Sequence, residues 1–274
     1  MKTTTLSILI CLLLFNVPVY AQLTVSTFNI RFDNPGDGVH QWSNRKDQVL
    51  NFIQVEEIDV LGMQEALYNQ IQFLDDNLED YSYQGVGRDD GDKAGEFSPI
   101  LYNHKKFDLL DGGTFWLSTD TSKPNKAWDA ALPRICTWVH LKEKGTEETY
   151  LILNTHFDHV GKVARVESVG VILEKMKEFD NTDKVIIMGD FNLEPENEPI
   201  KRVINAGFSD SYHEAKIKIG PVGTFNAFKI DTNYDRRIDY VFYQNMDVKL
   251  YKNYSLRIDD TFLSDHFPVV VQFK

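Results

Sequence analysis

Two runs in this chain, Val185-Ile186-Ile187-Met188 and Val269-Val270-Val271, are apolar at every position. Side chains along a strand point alternately to opposite faces, so a run without alternation reads as a strand covered on both. Helices must then pack on the sheets that carry such strands, and the fold expected is a layered α/β arrangement. Other strand-like runs recur at Leu23 to Asn29, Ser98 to Tyr102, Arg134 to Leu141, Tyr150 to Thr155, Lys184 to Met188, Ile238 to Tyr243 and Phe267 to Phe273. Two helical stripes interrupt them: Val49, Leu50 and Ile53 after the Trp42-Ser43 entry, and a longer one of Val163, Val166, Leu173 and Met176.

The residues at the ends of these runs narrow the reading further. Asn29, Glu65, His156 and Asp190 each follow an apolar run, whereas Asp239 and the Asp265-His266 pair precede theirs. If the last two strands run antiparallel to the others, all six positions meet at one edge of the sheets. Ionised groups gathered at the mouths of buried strands need partners or a cation.

Residues 1–21 have Lys2, an apolar run from Leu6 to Phe15 and a small-residue cleavage pattern ending at Ala21, which reads as a signal peptide. The apolar run is shorter than the roughly 20 residues of a membrane span, so no transmembrane anchor is expected. Lipid attachment at Cys11 lacks the small residue that such processing needs just upstream. The mature chain is expected to be one domain over residues 22–274, exported to the periplasm or the medium and acting as a monomer. Only Cys136 then remains, which excludes an internal disulfide and leaves stability to the core. Loss of Lys2 with the leader leaves 28 basic residues against 41 acidic, a formal charge of −13. Such a charge disfavours broad capture of nucleic acid or anionic membrane, although a local basic cleft is compatible with it.

The gathered groups are mostly oxygen donors: carboxylates of Glu65, Asp190, Asp239 and Asp265, amides of Asn29 and Asn192, and imidazoles of His156 and His266. Hard cations such as Mg²⁺, Mn²⁺ or Ca²⁺ prefer that set, whereas structural Zn²⁺ prefers Cys and His.

Thr27-Phe28-Asn29-Ile30-Arg31, Gln64-Glu65, Asn154-Thr155-His156, Gly189-Asp190-Phe191-Asn192, Arg237-Ile238-Asp239-Tyr240 and Ser264-Asp265-His266-Phe267-Pro268 resemble, in order and spacing, the endonuclease/exonuclease/phosphatase superfamily. The resemblance spans Leu23 to Lys274, and Arg31 to Pro35 with Trp42, Arg45 and Lys46 is similar to a secreted bacterial subgroup. It implies a four-layer α/β/β/α sandwich, two mixed β-sheets packed face to face with helices outside. It also implies roles. Glu65 would be the principal metal ligand, with Asn29 and Asp265 completing the site around Mg²⁺. Asp239 would hold the ring of His266, the general base or positioning charge, while Asp190 aligns the attacking water. Asn192 and His156 would bond the phosphoryl oxygens, with His156 also assisting the leaving group.

Arg134 resembles the family's phosphate-facing position, against the alternative of a strand-capping ion pair. Arg88 is also counted as a substrate-binding candidate; with Glu96 it flanks the loop Asp89-Asp90-Gly91-Asp92, which either lines the cleft or is merely solvated. Asp158 and His159 are read as hydrogen-bonded support rather than metal ligands, and Trp128 as a stacking platform. The function expected is a secreted phosphodiesterase, a nuclease in the broad sense. The alternatives are a phosphomonoesterase acting on an inositol phosphate, a sugar phosphate or a phospholipid headgroup, and a noncatalytic binding protein on the same scaffold. The acidic charge favours small phosphate esters over long duplex DNA.

Overall fold

The computed structural model describes residues 22–179, 184–230, 232–258 and 261–274; the leader expected over residues 1–21, with Cys11, lies outside the described residues. The strands in chain order are β1 (Leu23–Asn29), β2 (Val60–Gln64), β3 (Tyr81–Gln84), β4 (Ile100–Asn103), β5 (Phe107–Trp116), β6 (Ile135–Glu143), β7 (Thr149–His156), β8 (Lys184–Asp190), β9 (Ser209–Asp210), β10 (Ile217–Ile219), β11 (Asp239–Gln244), β12 (Val248–Asn253), β13 (Arg257–Ile258), β14 (Thr261–Phe262) and β15 (Val269–Phe273). The helices are α1 (Trp42–Val55), α2 (Tyr68–Asn77), α3 (Lys162–Met176), α4 (Glu198–Asn205) and the short α5 (Ser211–Glu214).

One sheet has seven strands in the order β10-β12-β15-β1-β2-β4-β3, and the other six in the order β5-β6-β7-β8-β11-β9. Both are mixed. The unalternating runs explain the layering. Ile186 and Met188 of β8 face Val25, Val60, Val269 and Val271 in the core between the sheets, while Val185 and Ile187 turn the other way onto Val169, Ile172, Ile200 and Val203 of α3 and α4. Val270 likewise turns outward to Val49, Phe52, Ile53, Ile71 and Leu74 of α1 and α2. The result is the α/β/β/α sandwich.

The longer helix is rotated from the expected stripe. The buried face of α3 is Ala164, Ser168, Val169 and Ile172, and Val163 is 51% exposed. Small Ala164 and Ser168 fill this buried face, which a count of large apolar side chains overlooks.

A polar bond crosses the apolar space between the sheets. Gln64 donates from Nε2 to Asn154 Oδ1 at 2.7 Å, and Asn154 donates from Nδ2 to the carbonyls of Met63 at 2.7 Å and Pro99 at 2.9 Å. Gly62 makes room, since a Cβ there would lie 2.7 Å from the Asn154 side chain. Buried polar pairs of this kind fix one arrangement among many that hydrocarbon alone would tolerate.

Cys136 is free and fully buried on β6, and burial pushes its thiol far up from its ordinary range. It is expected to resist alkylation until the protein unfolds, and reductant should shift the melting temperature by less than about 2 °C, the low end of what 1 kcal/mol does in a chain of this size. Rapid labelling of Cys136 in native buffer would contradict this placement.

Candidate active site

Strand direction brings the motif residues together. β1 and β2 are parallel, with Asn29 opposite Gln64, so Asn29 and Glu65 emerge at the same end. β15 runs antiparallel to β1, which returns Asp265 and His266 to that end. In the other sheet β7 and β8 are parallel with His156 opposite Asp190, and antiparallel β11 places Asp239 opposite Asp190. The site therefore straddles the two sheets.

Three of its residues adopt left-handed backbone just past their strands: Arg31 (φ 58°), Glu65 (φ 60°) and Asn192 (φ 50°). Each costs on the order of 1 kcal/mol, a local expense that persists where the surroundings over-determine the turn. At Gly189 (φ 148°) a Cβ would collide with the Thr155 carbonyl. That close approach of β7 and β8 sets His156 beside Asp190. Behind the site, buried Arg45 donates to the carbonyls of Ile30 at 2.9 Å, Leu263 at 2.6 Å and His40 at 2.6 Å. It ties the loop after β1 to the loop before Asp265.

Asp190 is the centre. Its Oδ1 accepts from the Asn192 backbone N–H at 2.9 Å and its Oδ2 from Asn29 Nδ2 at 3.0 Å. The same Oδ2 lies 3.5 Å from His156 Nε2 and 3.7 Å from His266 Nε2, longer than a good hydrogen bond, with both imidazoles facing the carboxylate. Burial first, then the charge of Asp239, pushes the Asp190 carboxyl up from the ordinary carboxylate range.

His266 donates from Nδ1 to Asp239 Oδ2 at 2.9 Å, which leaves Nε2 turned toward Asp190. Burial works against its charge, but Asp239, Asp190 and Asp265 outweigh it and raise the imidazole. His156 is the opposite case: burial, then Arg134 and Arg88, press it well below the usual histidine range. Its tautomer follows from Asn192, whose Nδ2 lies 3.1 Å from both the Phe157 carbonyl and His156 Nε2. The amide must donate to the carbonyl, and its second hydrogen goes to Nε2. The His156 proton is then on Nδ1, which is buried and without a partner. With both amide hydrogens engaged, Asn192 orients His156 here rather than presenting a free donor to an ester.

Glu65 Oε2 and Asp265 Oδ2 approach one nitrogen of Arg31, at 3.8 and 4.0 Å. Two carboxylates thus converge on a positive charge at the cleft wall, an all-oxygen pair that fits a hard divalent cation. Asn29 donates from Nδ2 to Glu65 Oε1 at 3.1 Å and accepts the Arg31 backbone N–H on Oδ1, so its oxygen joins such a site only with the amide turned. Counting carboxylate and imidazole donors alone, Asp190, Asp239 and His266 among the described residues offer ligand atoms within 4.8 Å of one another. This trio also has the composition of a metal site; its tightest contact is the His266 Nδ1–Asp239 Oδ2 hydrogen bond, and Asp239 Oδ1 is buried without a partner.

These groups line a cleft of about 460 Å³, with Glu96, Leu132, Arg134 and His159 on the wall beyond His156, Phe32 beside Glu65, and Phe225 and Arg236 beside His266. The larger hollow, about 980 Å³, opens at the other strand ends among Glu56, Asp59 and Asp80 and holds none of them. Arg134 reaches the cleft. Arg88 does not line it; its guanidinium grips Glu96, which does, at 2.6 and 2.9 Å. Asp158 is support, as expected: it accepts from the backbone N–H groups of Ala131, Leu132, Val160 and Gly161 and pairs with Arg134 at 3.4 Å. Trp128 is not among the lining residues. It sits at φ 52° in the loop before Arg134, and the aromatic lining comes instead from Phe32 and Phe225, which no periodicity marks as exposed.

Residues 26–266 match the endonuclease/exonuclease/phosphatase family. An endonuclease/exonuclease/phosphatase family protein from Bacteroides thetaiotaomicron is 37% identical, superposes with a TM-score of 0.89, and is covered over 97% of its length by 92% of this chain. The mannosyl-6-phosphatase Bt3783 of the same organism is also 37% identical, with a TM-score of 0.88 over 92% of this chain and 99% of that one. The catalytic domain of human Nocturnin shares the fold at 18% identity and a TM-score of 0.71, over 92% of this chain and 93% of that one. With the motifs in order, the sandwich in place and the two-sheet site assembled, the chain belongs to the endonuclease/exonuclease/phosphatase family of phosphoester hydrolases.

Proposed function

We propose that this protein is an exported, divalent-metal-dependent hydrolase of small phosphate esters, with monoesters favoured over polynucleotides. The observation that carries the chemistry is Asp190 Oδ2, set between the two imidazole Nε2 atoms and beside the Glu65–Asp265 pair. Glu65 and Asp265, with Asn29, are the residues to hold the cation, Mg²⁺ by donor type. When bound, that ion polarises the phosphoryl group and neutralises its growing charge. Asp190 accepts the proton of the attacking water, and its raised affinity for protons suits that task. His266, oriented by Asp239, sets the charge facing that water. His156, held through Nε2 by Asn192, lies beside that water as a neutral imidazole.

The preference for small esters rests on how the cations are used. Arg31 pairs with Asp37 at 2.9 Å, Arg134 with Asp158, Arg88 with Glu96, and buried Arg237 with Asp210 at 2.7 Å. Arg236 is half exposed and 3.7 Å from Glu194. These arginines are thus largely neutralised by carboxylates, whereas a duplex nuclease gains affinity from many phosphate contacts. The likeness to a mannosyl-6-phosphatase supports the same reading. Export rests on the 1–21 leader alone, and Edman sequencing of the mature protein should begin near Gln22.

The test compares kcat/KM for a hexose 6-phosphate and for duplex DNA with Mg²⁺ present, together with DNA affinity across a salt series. The monoester is expected to be the better substrate, and the salt slope shallower than about −5, which corresponds to fewer than roughly six phosphates engaged. Efficient duplex cleavage with a steeper slope would restore a dedicated nuclease.

A further inference from the structure

The wall beyond His156 is built differently from the phosphate end of the cleft. Glu96 is fixed by a two-pronged bond from Arg88, and its Oε2 lies 3.8 Å from the unpartnered Nδ1 of His156. Arg134 is 4% exposed and anchored through Nε to Asp158, and its Nη1 is buried without a partner. Its Nη2 is 3.0 Å from His159 Nδ1. A guanidinium only donates, so His159 Nδ1 accepts and its remaining N–H, on Nε2, belongs to the exposed end of the ring at the cleft mouth. The wall thus places one carboxylate acceptor among fixed donors. Each of its arginines is matched by a carboxylate, so it carries little charge with which to hold a second phosphate.

Hydroxyl groups, which donate and accept at once, satisfy such a wall. A nucleobase finds little to stack on there. The phenyl rings of the lining, Phe32 beside Glu65 and Phe225 against His266, are covered by guanidinium groups, Phe32 by that of Arg31 at 4.5 Å and Phe225 by that of Arg236 at 5.0 Å. We propose that Glu96, Arg134 and His159 bind the alcohol half of the ester, and that this wall selects a polyhydroxylated, non-aromatic alcohol of glycosyl type over a nucleoside. The inference rests on the monoester reading above and assigns the residues that set its specificity. The volume of about 460 Å³ accommodates such an alcohol beside the phosphate.

The experiment uses the mature protein with Mg²⁺ and measures kcat/KM for hexose 6-phosphate, ethyl phosphate and a nucleoside 5′-monophosphate. Wild type is expected to favour hexose 6-phosphate over the other two. Glu96→Gln and the exposed-site variant His159→Ala should each reduce the preference for hexose 6-phosphate over ethyl phosphate by about tenfold or more, the loss expected when a hydrogen bond to a charged or fixed partner goes. An equal fall on both substrates in both variants would overturn the wall's role, because it would mean that Glu96 and His159 act on the chemical step common to all esters. Wild-type preference for the nucleoside 5′-monophosphate would overturn it as well. Absence of wild-type turnover on every monoester, with a diester cleaved, would instead remove the monoester reading on which the wall depends.

Discussion

Replacing Asp190 by asparagine is expected to lower kcat by about a thousandfold, within the range seen when a positioned proton acceptor is removed. The expectation follows from how completely the carboxylate is engaged. Its Oδ1 is committed to the Asn192 backbone, and its Oδ2 takes the Asn29 amide and faces both imidazoles. Asparagine keeps the volume but cannot accept a proton, and it places an NH₂ against donors or against the oxygen position the reaction needs. Circular dichroism should show an unchanged fold, which separates a chemical loss from a structural one. Activity within about tenfold of wild type would assign the proton to another group, with His266 the alternative.

Stripping divalent cations should abolish turnover, and Mg²⁺ or Mn²⁺ should restore it. Glu65 and Asp265 share one guanidinium as their nearby positive charge, and a single surface-facing Arg31, already bonded to Asp37 through two contacts, is a poor substitute for a dication at a phosphoryl oxygen. Glu65→Ala should therefore reduce kcat/KM by about a hundredfold or more and raise the Mg²⁺ concentration required for half-maximal rate. Calorimetric titration of Mn²⁺ gives a readout independent of turnover, with weakened binding expected in the same variant. Full activity in chelator, with the protein shown to be free of metal, would defeat the metal-dependent reading.

Much of this architecture is legible in the chain because it depends on local regularities. Strands without alternation must be covered twice, and a polar residue that ends or begins such a strand must lie at its mouth. Whether Asp239 meets Asp190 then depends on an antiparallel return, which the sequence leaves as a condition and the register supplies. Strand β5 escaped because its middle, Asp108 to Gly113, is acidic and glycine-rich and lies largely exposed at a sheet edge. The sequence leaves open whether the loop between Arg88 and Glu96 lines the cleft; Glu96 does, and Asp89 to Asp92 do not. That placement depends on a loop folding back so that Arg88 and Glu96 meet, and on a neighbour, His156, that is distant in sequence. Gln64 and Asn154 sit within recognised motifs, yet no pattern shows that they reach for each other across two sheets.

That last pair has a consequence for inheritance. Asn29, Glu65 and His266 travel with one sheet, and His156, Asp190 and Asp239 with the other. Packed hydrocarbon between two sheets resists a slide without specifying the register, whereas the 2.7 Å bond from Gln64 to Asn154 specifies it. The two amides therefore index one half of the catalytic set against the other. When relatives are recombined at a crossover between positions 64 and 154, the amides come from different parents and must still fit. A mismatch would leave a chimaera with both sheets formed, every reactive group present, and the two halves out of alignment.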